Sequence, residues 1–161
     1  MMNSLLLPHR YKKIGWILLI PAAVLGILGV IMDIESVLPI QSKVLALVGD
    51  EGLLKQKYFS VISTNITLTL IGMLFIIGAL LVGFSKEKQE DEYIAEVRLN
   101  ALLWAVLVNY SLLLVAFAFV YGLSFLTVMI YNMFTVLILF IARFHIALYR
   151  NAKNISDEKH D

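Results

Sequence analysis

From Phe59 to Phe84 the chain runs for 26 residues without a charged side chain. At 1.5 Å of rise per helical residue, about 20 residues cross the roughly 30 Å hydrocarbon core of a bilayer. Three further stretches share this character: Ile14 to Met32 is uncharged for 19 residues, Ala101 to Tyr121 for 21 and Phe125 to Ala142 for 18. Strands of a membrane barrel would show segments of about ten residues with alternating polarity, and these runs do not alternate. Helices are the other structure that satisfies its own backbone in lipid. The chain therefore reads as an all-α, polytopic membrane protein with four transmembrane helices in two hairpins, a four-helix bundle forming a single membrane domain. Its spans are expected at about 14–32, 59–84, 101–121 and 125–142, with an outer segment 33–58, an inner loop 85–100 and a tail 143–161. Only Gly122, Leu123 and Ser124 separate the last two spans, which is room for a tight turn.

The residues outside these runs set the orientation. Arg10, Lys12, Lys13, Lys86, Lys88, Arg98, Arg143, Arg150, Lys153 and Lys159 fall on the side of both termini, against Lys43, Lys55 and Lys57 on the other. Ten against three places both termini in the cytoplasm, since basic residues are retained there. The first span follows basic residues, as a signal peptide would. However, its 19 apolar residues exceed the roughly 7–15 of such a segment, and Gly29, Val30, Ile31 and Met32 offer no cleavage pattern. It is read as a retained helix.

Composition narrows the function classes. Hydrophobic residues make up 60% and charged residues 16%, against roughly 45–50% and about 25% in an ordinary globular chain. A net charge of +1 lacks the basic stripe of a nucleic-acid binder, so no nucleic-acid partner is expected and the lipid bilayer is the first partner. No cysteine is present, which removes disulfides, thiolate metal sites and palmitoylation. His9, His145 and His160 all lie outside the apolar runs, so no histidine pair is placed to hold a haem between helices. The four-helix small multidrug transporters carry a carboxylate in their first span. This first span has Pro21, Gly26 and Gly29 but no acid.

No serine–histidine–acid set, glycine-rich phosphate loop or H-E-x-x-H spacing occurs. The chain is read as non-catalytic and without a cofactor. Asn65, Ile66 and Thr67 match the glycosylation triplet, but at the edge of a span they make a poor acceptor.

Within the spans the remaining chemistry is hydroxyl and amide. On a helix Ser60, Ser63, Thr64 and Thr67 would share one face of the second span, with Asn65, Thr69 and Gly72 on another. Asn109 and Ser111 on the third span and Asn132 and Thr135 on the fourth fall at similar depths, counted back from the turn. They form a candidate polar layer, either for interhelical hydrogen bonds or for a polar ligand. Ala22 and Gly26, four apart, suit a close helix contact. In the outer segment Ile40, Val44, Leu47 and Val48 recur at helical spacing after Pro39, with Gly49 as a stop. This predicts a short helix at the membrane interface or over a ligand site, and the run Leu53 to Tyr58 continues into the second span as a helical overhang.

The inner loop from Ser85 to Arg98 is helix-compatible throughout, with Lys88 and Glu92 at i and i+4 and acids ahead of the third span. Glu90, Asp91, Glu92, Tyr93, Ile94, Glu96 and Arg98, with Arg143 and Arg150 of the basic tail, form the candidate surface for a cytoplasmic protein partner. The same charges are also placed to pair with one another, and Arg143 to meet Glu96 or a lipid phosphate.

Leu7, Pro8, His9, Arg10, Tyr11, Lys12, Lys13, Ile14, Gly15 and Trp16, running on to Ile20, Pro21 and Ala22, resemble the opening of small four-span membrane proteins of bacteria. Leu103 to Val106, Asn109 and Tyr110, and later Tyr131 to Phe134, look similar to the later part of that group. The resemblance implies a bacterial cytoplasmic membrane and carries no activity with it. The residues favour an accessory or regulatory membrane protein that binds another protein at the cytoplasmic face. The alternatives are a carrier or binder of a small or lipidic molecule at the polar layer and, last, a lipid-modifying enzyme.

Overall fold

The computed structural model describes residues 6–32, 34–50, 56–88 and 90–157. The elements are α1 (Arg10–Met32), α2 (Ile34–Val37), β1 (Gln41–Asp50), β2 (Gln56–Asn65), α3 (Thr67–Phe84), α4 (Glu92–Phe119) and α5 (Leu123–Asp157). The chain is mostly helical, and α1, α3, α4 and α5 are each long and apolar enough to cross a membrane. This is the architecture of a multi-pass membrane protein. At 18 residues, α3 extends about 27 Å, close to the hydrocarbon thickness. At 35 residues, α5 reaches about 52 Å and continues well past Ala142, so most of the expected tail is helix.

The outer segment departs from the sequence reading. Gln41–Asp50 and Gln56–Asn65 pair as an antiparallel two-stranded sheet, with Lys43 opposite Ser63, Val44 opposite Ile62 and Leu45 opposite Val61. Ile40 precedes this sheet and Val44, Leu47, Val48 and Gly49 belong to β1, so the fold is not all-α and no amphipathic helix follows Pro39. Leu53 lies outside the described residues, while Tyr58 is in β2 and not in a helical overhang. The second span is shortened accordingly: 59–65 is strand, and Ser60, Ser63 and Thr64 share no helical face with Thr67.

The reason is local. Val61, Ile62 and Thr64 are β-branched and suit a pleated surface, and a short apolar run reads equally well with period 2 or 3.6. A partner run of equal length, met across the 51–55 connection, decides between the two. Phe59 adopts a left-handed conformation (φ 51°) at the one position where the ladder between Asp50 and Gln41 skips a pair.

Two compact units make up the chain, Leu18–Phe75 and Met1–Ile17 with Ile76–Asp161. In the first unit the base of the sheet is tied to the start of α3. Thr67, 2% exposed, donates its hydroxyl to the Leu38 carbonyl (2.6 Å) and accepts from the Ile40 N–H (3.1 Å). Asn65 accepts from the Thr67 N–H (3.0 Å) and donates to the Glu35 carbonyl (3.2 Å). Asn65 thus caps a helix that begins at Thr67, whose hydroxyl ties that end to Leu38 and Ile40. Leu19, Ala22, Ile34 and Phe75 are buried in this unit. Gly26 faces Ile71, with room for a methyl group at 3.9 Å.

In the second unit Ala79, Val82, Ala101, Ala105, Phe140 and Phe144 form the core. Gly15 of α1 packs tightly on the end of α3: a Cβ there would lie 2.8 Å from the Val82 backbone nitrogen. Gly83 likewise makes room for the Phe140 ring. Residues 120–122 join α4 to α5, and Gly122 supplies the left-handed conformation (φ 70°) that reverses the chain.

These distances separate two glycines of the same helix. Gly15→Ala should lower the midpoint of thermal unfolding in detergent, because overpacking against a backbone atom costs about 1–3 kcal/mol. Gly26→Ala should leave it unchanged or raise it, since alanine is favoured in a helix by roughly 0.5–1 kcal/mol where it fits. Equal effects from the two substitutions would contradict the described contact.

Candidate functional site

The charged residues before α4 converge on one clamp. Arg98, 7% exposed, lies two turns into α4 and donates Nη1 to Glu90 Oε1 (2.6 Å) and Nη2 to Glu90 Oε2 (3.1 Å). This two-point geometry is the strong form of a carboxylate–guanidinium pair. The same Nη2 also reaches the Ser85 carbonyl (3.2 Å), Glu90 Oε2 accepts from the Glu87 N–H (2.8 Å), and the guanidinium lies 5.0 Å over the Phe144 ring. The segment between α3 and α4 is therefore fastened to both α4 and α5.

Its other side is tied to the start of the chain. Leu7 donates to the Phe84 carbonyl (3.0 Å) and accepts from the Lys86 N–H (2.8 Å), forming a parallel bridge with Ser85. Phe84 ends α3, so the contact supplies a partner for one of the carbonyls a helix end leaves open. His9 donates Nδ1–H to the Lys86 carbonyl (2.9 Å), and Lys12 forms an ion pair with Glu87. His9, Lys12, Glu87, Lys88, Ile94 and Leu148 line an open cleft of about 450 Å³. On α1 and α5, Trp16 and His145 meet edge to face at 5.3 Å.

The expected partner surface is thus split. Glu90 and Arg98 are buried against each other and are not available to a partner. Asp91 caps α4 by accepting from the Ile94 N–H (2.8 Å), and the helix begins at Glu92. The loop is consequently not helical from Ser85 onward, and Lys88, ahead of the cap, makes no i, i+4 pair with Glu92. Glu92, Tyr93 and Glu96 remain exposed on the first turns of α4, while Ile94 is half-buried in the cleft wall. Arg143 lies 5.2 Å over the Trp104 ring instead of pairing with Glu96, and Arg150 is exposed on α5.

The polar layer also divides. Asn109, 5% exposed, and Asn132 exchange amide hydrogen bonds, Nδ2 to Oδ1 in both directions, at 3.2 and 3.1 Å. Ser111 and Thr135 stand apart from this pair. Their hydroxyls donate to Leu107 (2.8 Å) and Tyr131 (3.0 Å), carbonyls one turn back in their own helices.

The contacts missed from sequence are those of Leu7, His9, Lys12 and Glu87. Nothing in their spacing signals a bridge across more than seventy residues, although the crowding of basic and acidic residues at the same ends of the expected spans was visible. Among the described residues no group of three or more histidine, aspartate or glutamate side chains is placed to hold a metal. Comparison with protein-family profiles, with curated proteins and with solved structures finds no match to this chain.

Two substitutions follow from this geometry. Glu90→Leu leaves Arg98 buried without its counter-charge, and thermal unfolding in detergent should report a loss of about 3–5 kcal/mol. Asn109→Leu breaks both amide bonds and should cost less, roughly 0.6–2 kcal/mol. A surface-like effect of Glu90→Leu, below that of Asn109→Leu, would contradict the clamp.

Proposed function

We propose that this chain is a non-catalytic accessory or regulatory protein of a bacterial cytoplasmic membrane, arranged as two helical hairpins with both termini inside, which binds another protein at its cytoplasmic face. The observation that carries this reading is the exposed stripe on the first turns of α4. Glu92, Tyr93 and Glu96 are presented to solvent, Tyr93 at 48% exposure, while the Asp91 cap and the Glu90–Arg98 clamp hold the backbone beneath them. An aromatic side chain flanked by like charges on a fixed helix end suits a partner that supplies a basic, partly apolar segment. The charges would steer the encounter and the ring would contribute buried contact. The ten-to-three distribution of basic residues supports a cytoplasmic position for this stripe.

Ligand carriage through the polar layer has less support. The Asn109 and Asn132 amides are engaged with each other, and the Ser111 and Thr135 hydroxyls with their own helices.

A photoreactive residue in place of Tyr93, activated in living cells, should capture a distinct second protein, and Glu92→Lys with Glu96→Lys should abolish that capture. Crosslinks found only within the chain would refute the reading. Orientation is tested separately: alkaline phosphatase fused after Gly49 should be active and fused after Asp91 or Asp161 inactive, and the reverse pattern would place the stripe outside the cell.

A further inference from the structure

The cleft beside the α3–α4 connection carries a cation without a counter-charge. Lys12 and Lys88 line it against a single carboxylate, Glu87. Lys12 is half-buried and paired with Glu87, whereas Lys88 is exposed and has no carboxylate partner among the described residues. The other acids nearby do not answer it. Glu90 is held by Arg98 and Asp91 caps α4. Glu92 and Glu96 stand two residues to either side of Ile94, about 160° around the helix from the side chain that lines the cleft. Ile94 and Leu148 complete the wall as apolar surface, which excludes water and strengthens the field of the cations beside them.

The position of the cleft points to the anion. Lys12 is two residues ahead of Ile14 and Leu148 six residues beyond Ala142, about 3 and 9 Å past the ends of their uncharged runs. Headgroup layers extend a bilayer from roughly 30 Å of hydrocarbon to about 40–45 Å in all. The cleft therefore opens at the level of the lipid phosphates, where basic pockets between membrane helices take anionic headgroups. Two lysines against one glutamate leave one net positive charge. A headgroup with one net negative charge matches it, and a zwitterionic headgroup does not.

We propose that this cleft binds the headgroup of an anionic phospholipid, with Lys88 as the main contact of the phosphate and Lys12 beside it. His9 serves the site by donating Nδ1–H to the Lys86 carbonyl, which holds the start of α1 against the segment that carries Lys88. The site is independent of the Tyr93 stripe and of which side of the membrane the termini occupy.

The two tryptophans, Trp16 and Trp104, provide the reporter. Trp16 follows Lys12 by one turn of α1 and packs on His145, while Trp104 lies under Arg143. Trp104→Phe leaves Trp16 as the single indole. With this full-length protein reconstituted in mixed bilayers, quenching by brominated phosphatidylglycerol should report binding about fivefold tighter than that of brominated phosphatidylcholine, the contribution of one lysine near a charged surface. Brominated phosphatidylethanolamine should behave as phosphatidylcholine does. Lys88→Glu should abolish the preference and Lys88→Arg keep it. Lys13→Glu, the same charge change at an exposed position outside the cleft, should leave it intact. No preference before substitution, or equal losses from Lys88→Glu and Lys13→Glu, would overturn the proposal, the second by showing general attraction to a charged surface. A preference removed by millimolar inorganic phosphate would overturn it as well, by making free phosphate the ligand.

Discussion

Hydrocarbon offers a peptide group nothing to bond to, and the arrangement of this chain follows from that. The long apolar segments are helical because a helix keeps its N–H and C=O groups within itself. What a helix cannot keep are the groups of its first and last turns, and the irregular parts of the chain are built around them. The 84–86 segment bonds to Leu7 where α3 ends. Thr67 and Asn65 bond to the 35–40 connection where α3 begins. Asp91 accepts from the first turn of α4. The non-helical residues around these positions thus connect one helix end to another and satisfy both.

Charge is handled by the same economy. A buried ion pair contributes little net stability over an apolar replacement, because desolvation offsets its attraction, but removing one member leaves the other stranded. The Glu90–Arg98 pair is therefore better understood as a device of position: it locates the loop against α4 and against the Phe144 ring of α5. Enclosing these two charges leaves fewer on the surface, and it is this that isolates Glu92, Tyr93 and Glu96 as the exposed chemistry of the helix end.

The polar side chains Asn109, Ser111 and Thr135 inside the apolar segments fall into two groups by the source of their partner. Ser111 and Thr135 find it in their own helix, and Asn109 finds it in the next one. Such a ranking follows from geometry, since a hydroxyl on a short side chain reaches its own i−4 carbonyl while an amide or a phenol extends away from the helix.

Composition and the length of the uncharged runs determined that the chain has four helices able to cross a membrane, because the hydrophobic effect and backbone hydrogen bonding act on each segment by itself. The matching depths of Asn109 and Asn132 were legible for the same reason: a short turn and a constant rise per residue leave little freedom. Three features were decided by tertiary structure alone. Residues 41–50 and 56–65 became a pair of strands and not helix because a strand needs a second strand, and that partner is chosen only when the chain folds back. Glu90 and Arg98 became a clamp and not a docking surface because burial against Phe144 and the Ser85 carbonyl depends on where α5 and the 85–91 segment lie. Leu7 was drawn to the end of α3 because that end had an open carbonyl, a need that exists only once the helix has stopped.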